Sequence, residues 1–199
     1  MKELPKVIFF SGFLGSGKTT LASAVARLLT GYQKKLTIII NDAARNGVDE
    51  KYLKSQGYPT ESLSGGCICC TQAAEIADAL RTASETDCDY ILIEPSGTAS
   101  PGALYKVLIN AGCEKDRLFH LTLVDPLRAE LLFAVLDPLF ASAMPIADAA
   151  VINKIDQADD AMMQFSRKII KDYNEKLPVF ELNLQEALPK AFTDFILDF

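Results

Sequence analysis

Short runs of uninterrupted apolar residues alternate along the chain with longer stretches whose apolar positions recur at helical spacing. The runs are Val7–Phe10, Leu36–Ile40, Tyr90–Ile93, Leu118–Val124, Ala149–Ile152 and Val179–Leu182. Most lack the in–out alternation of a half-exposed strand, so they read as parallel strands covered on both faces. The segments Thr19–Leu29, Gln72–Ser84, Pro101–Ala111, Leu127–Phe140, Asp160–Glu175 and Ala187–Phe195 read as helices. Strand–helix alternation implies right-handed crossovers and a three-layer α/β sandwich, a mostly parallel central sheet with helices on both faces. No repeat, low-complexity tract or linker divides the 199 residues, so the expectation is one domain, 1–199, with a full core. Ligands in such sheets collect at the carboxyl ends of the strands, and the chemistry is sought there.

The first run leads into Gly12-Phe-Leu-Gly-Ser-Gly-Lys-Thr-Thr20 and then into the first helix. Gly12, Gly17, Lys18 and Thr19 stand at the spacing of a phosphate-binding loop, in the strand–loop–helix context that the motif requires. The glycines let backbone N–H groups turn around phosphate oxygens, and the helix N-terminus adds partial positive charge. Lys18 is expected to reach the β- and γ-phosphates, and the Thr19 hydroxyl to ligate Mg²⁺.

The third run ends in Glu94-Pro-Ser-Gly97. A carboxylate at the tip of a buried strand, beside a Mg²⁺–phosphate site, belongs near the metal, and Gly97 can bring its N–H close to the γ-phosphate. Asn153-Lys-Ile-Asp156 follows the strand Ala149–Ile152. The Asp156 carboxylate can accept from N1–H and the 2-amino group of guanine, whereas adenine would leave it partly unpaired. At about 1.5–3 kcal/mol for each charge-assisted bond, that difference selects GTP over ATP. The Lys154 stem would pack along the base and Asn153 would brace the loop.

Gly65-Gly-Cys67-Ile-Cys69-Cys70 places three thiols within four residues. Thiolates at that density suit Zn²⁺ or Cu⁺, with all three binding or only Cys67 and one neighbour. A redox pair and simple packing are the competing readings. Cys88, Cys113 and His120 read as packing residues, and Glu114–Arg117 as a solvated loop. Leu131–Leu136 is apolar on all sides, hence either deeply buried or part of an interface.

Composition narrows the classes. Apolar content of 49% and charged content of 23% are those of a globular protein. A net charge of −6 supplies no basic stripe for nucleic acid. The apolar stretch Leu131–Val151 is interrupted by Asp137-Pro138, Pro145 and Asp148, so no membrane span is expected. Met1–Pro5 runs straight into the first strand without a signal-peptide core, and five clustered cysteines do not form a disulfide framework. The expectation is a cytoplasmic protein.

Taken in order, the four motifs resemble the CobW-type branch of the CobW/HypB/UreG P-loop GTPases, and the resemblance covers nearly the whole chain. Its most specific part is Gly-Gly-Cys-Ile-Cys-Cys lying between the phosphate loop and a strand that ends in Glu-x-Ser-Gly. The resemblance implies a P-loop NTPase fold in which Gly12 to Thr20 (including Gly15, Ser16 and Thr20), Glu94, Gly97, Asn153, Lys154 and Asp156 serve GTP, GDP and Mg²⁺. It implies that Cys67, Cys69 and Cys70 bind a transition metal such as Zn²⁺, Co²⁺ or Ni²⁺. It further implies a GTP-dependent metal chaperone or insertase acting on a client metalloprotein, with slow turnover when alone; some members support cobalamin enzymes. Lys18, Thr19, Glu94 and Asp42 are the expected catalytic group, Asp42 or Glu94 orienting the water.

Two features depart from the pattern. In Asn41-Asp-Ala-Ala-Arg-Asn-Gly-Val-Asp49 the second acid of the family's Asn-Glu-Phe-Gly-Glu-x-Gly-x-Asp is replaced by Arg45, a charge that repels cations. The family's usual further domain, often histidine-rich, is also not represented, which makes Leu127–Phe140 a candidate docking or homodimer surface. The segments Ile40–Asp49 and Gly65–Cys70 are the expected switch loops. The rival readings are a nucleotide-gated assembly or reactivation module for a corrinoid or other metalloenzyme without metal cargo, and an ATP-using small-molecule kinase, against which Asn153–Asp156 argues.

Overall fold

A computed structural model describes residues 5–40, 54–62, 71–97 and 99–199. Seven strands form one sheet: β1 (Lys6–Gly12), β2 (Leu36–Ile40), β3 (Thr60–Ser62), β4 (Tyr90–Glu94), β5 (Leu118–Val124), β6 (Ala149–Asn153) and β7 (Val179–Leu182). Their spatial order is β3-β2-β4-β1-β5-β6-β7, and every pair is parallel. The helices are α1 (Lys18–Gly31), α2 (Thr71–Glu85), α3 (Pro101–Asn110), α4 (Ala129–Ala143), α5 (Asp160–Tyr173) and α6 (Lys190–Asp198). The chain passes from β1 to β2 in one half of the sheet and later from β4 to β5 in the other, so the crevice at the carboxyl end of β1, between β4 and β5, is a topological switch point.

The period-2 geometry of a strand distributes these apolar runs over two faces. Ile8, Phe10, Ile38, Ile40 and Leu121 meet Leu21, Val25 and Leu29 of α1 and Phe192 and Ile196 of α6 on one side. Val7, Phe9, Ile39, Ile91 and Ile93 meet Ile76 and Leu80 of α2 and Leu104 and Leu108 of α3 on the other. Farther along that second face, Val124, Ala150 and Ile152 pack with Met163, Ile169 and Ile170 of α5. The continuous apolar strands of the sequence are therefore double-sided, as expected.

Three differences from the sequence reading have local causes. β3 was not expected; its Thr-Glu-Ser composition carries no apolar run, and pairing to β2 alone defines it. The fourth helix begins at Ala129 rather than Leu127, because Asp125-Pro126 forms a turn in which the Asp125 carboxylate accepts from Leu127 N at 3.1 Å. That helix is also bent: Leu136 leaves helical geometry (φ −126°, ψ 31°) two residues before Pro138, whose ring cannot follow a regular turn.

By length and composition Ala129–Ile146 is apolar enough to cross a membrane. Here, however, Phe133 contacts Phe165 and Tyr173 of α5 edge-on, and Tyr173 Oη donates to Asp137. Its outer face is bare, with Leu131 67% and Val135 68% exposed, so Leu131–Leu136 is not deeply buried.

Phe192 is fully buried and meets Phe180 of β7 in a T-shaped contact at 5.1 Å between ring centroids. Replacing it by alanine removes most of the anchor of α6, and Phe192→Ala is expected to cost about 3–5 kcal/mol. The shift in urea midpoint at unchanged m-value measures this.

Candidate nucleotide site

The loop between β1 and α1 has the geometry of a backbone cradle. Gly12 (φ 140°), Gly15 (79°) and Gly17 (104°) occupy the left-handed region that L side chains avoid. Space forbids substitution as well: a Cβ on Gly12 would stand 2.8 Å from Leu123 O, and one on Gly17 2.4 Å from Asn153 Nδ2. Left-handed glycines within such a loop gather N–H groups on the concave side and turn carbonyls outward. α1 has no acidic residue in its first turn, so the positive end of its dipole is not neutralised.

Each outward carbonyl of the loop meets a donor. Phe13 O accepts from Ser16 N at 3.1 Å and from Lys18 Nζ at 3.4 Å. Leu14 O accepts from Arg128 Nη1 at 3.4 Å, Gly15 O from Lys154 Nζ at 2.8 Å, Ser16 O from Asn153 Nδ2 at 2.9 Å, and Gly17 O from Leu21 N at 2.8 Å. Asn153 and Lys154, expected to serve the base, thus also hold the phosphate loop. Asn153 is buried at the end of β6 and accepts from Leu184 N at 3.3 Å through Oδ1. Lys154 itself adopts φ 62°, and its ammonium also meets Asp125 Oδ2 at 2.6 Å. Asp156 lies exposed at the free end of the segment.

On the other side, β4 delivers Glu94, 5% exposed, whose Oε1 accepts from Thr19 Oγ1 at 2.7 Å. Hydroxyl and carboxylate oxygens converging at this distance form a hard-oxygen donor set of the kind that suits Mg²⁺. Gly97 lies against the loop itself: a Cβ there would stand 2.6 Å from Leu14 N. Ser16 is buried and its hydroxyl has no partner among the described residues, while Thr20 is half-buried in the first turn of α1. Asp42, Arg45, Asp49, Cys67, Cys69 and Cys70 lie outside the described residues. Among the described residues no group of three or more His, Cys, Asp or Glu side chains could hold a metal.

Sequence reasoning missed Asp125, Arg128 and Leu184. Asp125 is an acid directly after a buried strand, as Glu94 is, and that position was a usable signal. Leu184 contributes a backbone N–H, and Arg128 acts through a turn, so neither leaves a composition signal.

The parallel sheet, the cradle at its switch point and the paired oxygens define a P-loop nucleotide-binding domain. The family model of the CobW/HypB/UreG nucleotide-binding domain matches residues 6–181, and the chain belongs to this family. Zinc chaperone YjiA of Escherichia coli (strain K12) is 28% identical over 183 residues, 87% of this chain and 56% of its own length. Zinc-regulated GTPase metalloprotein activator 1 of Dictyostelium discoideum is 33% identical over 114 residues, 50% of this chain and 23% of its own. The chain therefore spans between about a quarter and just over half of these relatives. HypB from Helicobacter pylori in complex with nickel shares the fold, with a TM-score of 0.70 at 19% identity, covering 98% of this chain and 86% of that one.

Beneath the loop, Ser11 Oγ shares a hydrogen bond of 2.6 Å with His120 Nε2 and donates to Thr122 Oγ1 at 3.1 Å. The His120 ring stacks on Phe9 at 4.0 Å and is fully buried, as the sequence suggested. Burial pushes its pKa down to about 3, against a smaller opposing effect of the Ile146 carbonyl. The folded protein therefore keeps His120 neutral, while the unfolded chain takes up its proton below about pH 6.5. The resulting stability is complete above pH 6.5 and is lost as pH falls toward 3, by about 1.4 kcal/mol for each pH unit. Urea midpoints of wild type and His120→Gln between pH 6.5 and 4.5 are expected to converge, the wild type falling more steeply. Parallel slopes would show that His120 does not titrate on unfolding.

Proposed function

We propose that this chain binds and hydrolyses GTP and couples its nucleotide state to the handling of a transition metal for a client metalloprotein. The observation that carries the nucleotide half is the docking of Asn153 and Lys154 on the carbonyls of Ser16 and Gly15. A segment carrying the guanine-selecting Asp156 is thereby held at a fixed distance from the phosphate cradle. In hydrolysis a water oxygen bonds to the γ-phosphorus as its bond to the β–γ bridging oxygen breaks. GDP leaves with the electron pair, and the water's proton passes to the released phosphate. Lys18 and the loop N–H groups bind the phosphoryl oxygens, and Gly97 follows the γ-phosphate through its contact with Leu14. Thr19 and Glu94 would hold Mg²⁺, which when bound supplies neutralising charge to the phosphate oxygens.

The metal half rests on the thiol chemistry of Cys67, Cys69 and Cys70 and on the family. The relatives named zinc chaperone and zinc-regulated GTPase metalloprotein activator, together with the nickel-bound HypB, support a transition metal as cargo. We assign the chain to the cytoplasm, where such thiols stay reduced. The bare Leu131–Val135 face of α4 is the surface we assign to a client or a second copy.

Linkage supplies the test, because nucleotide-dependent metal affinity requires metal-dependent nucleotide affinity of the same factor. Reduced protein titrated with Zn²⁺ is expected to show different affinities with a GTP analogue, with GDP and without nucleotide. The triple change of Cys67, Cys69 and Cys70 to Ser should abolish metal binding while GTP still binds. Equal Zn²⁺ affinity in all three states would sink the coupling. For the base, Asp156→Asn is expected to weaken GTP by about tenfold to hundredfold and to favour xanthosine triphosphate. Equal competition by ATP against the native protein would refute guanine selection.

A further inference from the structure

Arg128 occupies a place that the reading above leaves unused. It stands on the turn between β5 and α4, at the crown of the phosphate loop. Its Nη1 is 3.4 Å from Leu14 O and lies 3.5 Å from where a Cβ on Gly15 would be. The guanidinium thus lies over Gly15, at a distance where a Cβ would make ordinary van der Waals contact with it. The backbone beneath the side chain is fixed: Arg128 N donates to Asp125 O at 3.1 Å, and the Asp125 carboxylate holds both Leu127 N and Lys154 Nζ. The guanidinium is solvent-exposed and forms no ion pair among the described residues. Its one hydrogen bond among the described residues is long, to a neutral acceptor, and is weak compared with what a phosphate would offer.

We infer that Arg128 is a phosphate-contacting residue supplied in cis, which exchanges the Leu14 carbonyl for the γ-phosphoryl group when a guanosine triphosphate is bound. Position favours the γ end of the nucleotide. Leu14 has Arg128 at its carbonyl, and Gly97, from the segment after Glu94, lies against its N–H. The guanidinium is exposed and held among the described residues by one long hydrogen bond, so the side chain can swing from the Leu14 carbonyl toward a phosphoryl oxygen. A planar cation there can pair with two phosphoryl oxygens at once, and it gains most when charge shifts toward the β–γ bridge during cleavage.

The inference rests on the proposed GTP-binding reading, and the two fail differently. Arg128→Ala and Arg128→Lys are compared with wild type for affinity toward a non-hydrolysable GTP analogue and toward GDP, and for single-turnover GTP hydrolysis. Arg128→Ala is expected to slow hydrolysis by tenfold or more and to weaken the analogue several-fold, with GDP affinity changed less than twofold. Arg128→Lys should fall between, and added guanidinium ion should restore part of the Arg128→Ala rate. Wild-type hydrolysis in Arg128→Ala, or an equal loss of analogue and GDP affinity, would reduce Arg128 to a brace of the loop and overturn the inference. Should the wild type turn over too slowly to measure, the ratio of analogue to GDP affinity decides alone. A wild-type protein that binds ADP and GDP equally well would instead refute the guanine reading, leaving the γ-phosphate contact to be judged by the ATP analogue against ADP.

Discussion

A backbone loop that turns its N–H groups toward a phosphate must turn its carbonyls away from it, and a carbonyl turned into protein needs a donor. That single requirement organises this structure. Phe13, Leu14, Gly15, Ser16 and Gly17 each present an oxygen outward, and the donors come from the loop's own turn, from α1, from the β5–α4 turn and from the end of β6. The cradle is therefore a product of tertiary structure, built at the carboxyl end of the central strand β1, between β4 and β5.

One consequence is that the segment after β6 and the glycine loop are not independent modules. Asn153 and Lys154 satisfy loop carbonyls while their neighbour Asp156 faces solvent. Asp125 completes the arrangement. Nearly excluded from water, it holds the Lys154 ammonium and caps the turn that carries Arg128, so one carboxylate sets two cations around the loop. Such a buried ion pair is costly to break from one side, because the partner left behind keeps its charge in a poorly solvated place.

Much of this was legible in the sequence because the chemistry needs backbone freedom and strand ends, both of which leave local marks. Continuous apolar runs marked six strands, and Gly12, Gly17, Lys18 and Thr19 marked the loop. Glu94 and Asn153–Asp156 stood out by position after a strand. What escaped notice is tertiary in origin. β3 is three polar-leaning residues whose only reason to be extended is the free edge of β2. Leu184 matters through its N–H, for which the side chain gives no clue. The bareness of Leu131 and Val135 depends on which face of α4 turns to α5, and a helix apolar all round does not announce that choice.

The bend at Leu136 divides α4 into unequal partners. Beyond it the helix is moored to α5 through Asp137, and ahead of it through Phe133, which packs on Phe165 and Tyr173. Ahead of it, residues 129–135 form a short stiff rod, with the bare Leu131 and Val135 along its side and Arg128 at its tip. A single short segment thus carries an uncovered apolar side and, at its start, the side chain that touches the carbonyl between Leu14 and Gly15.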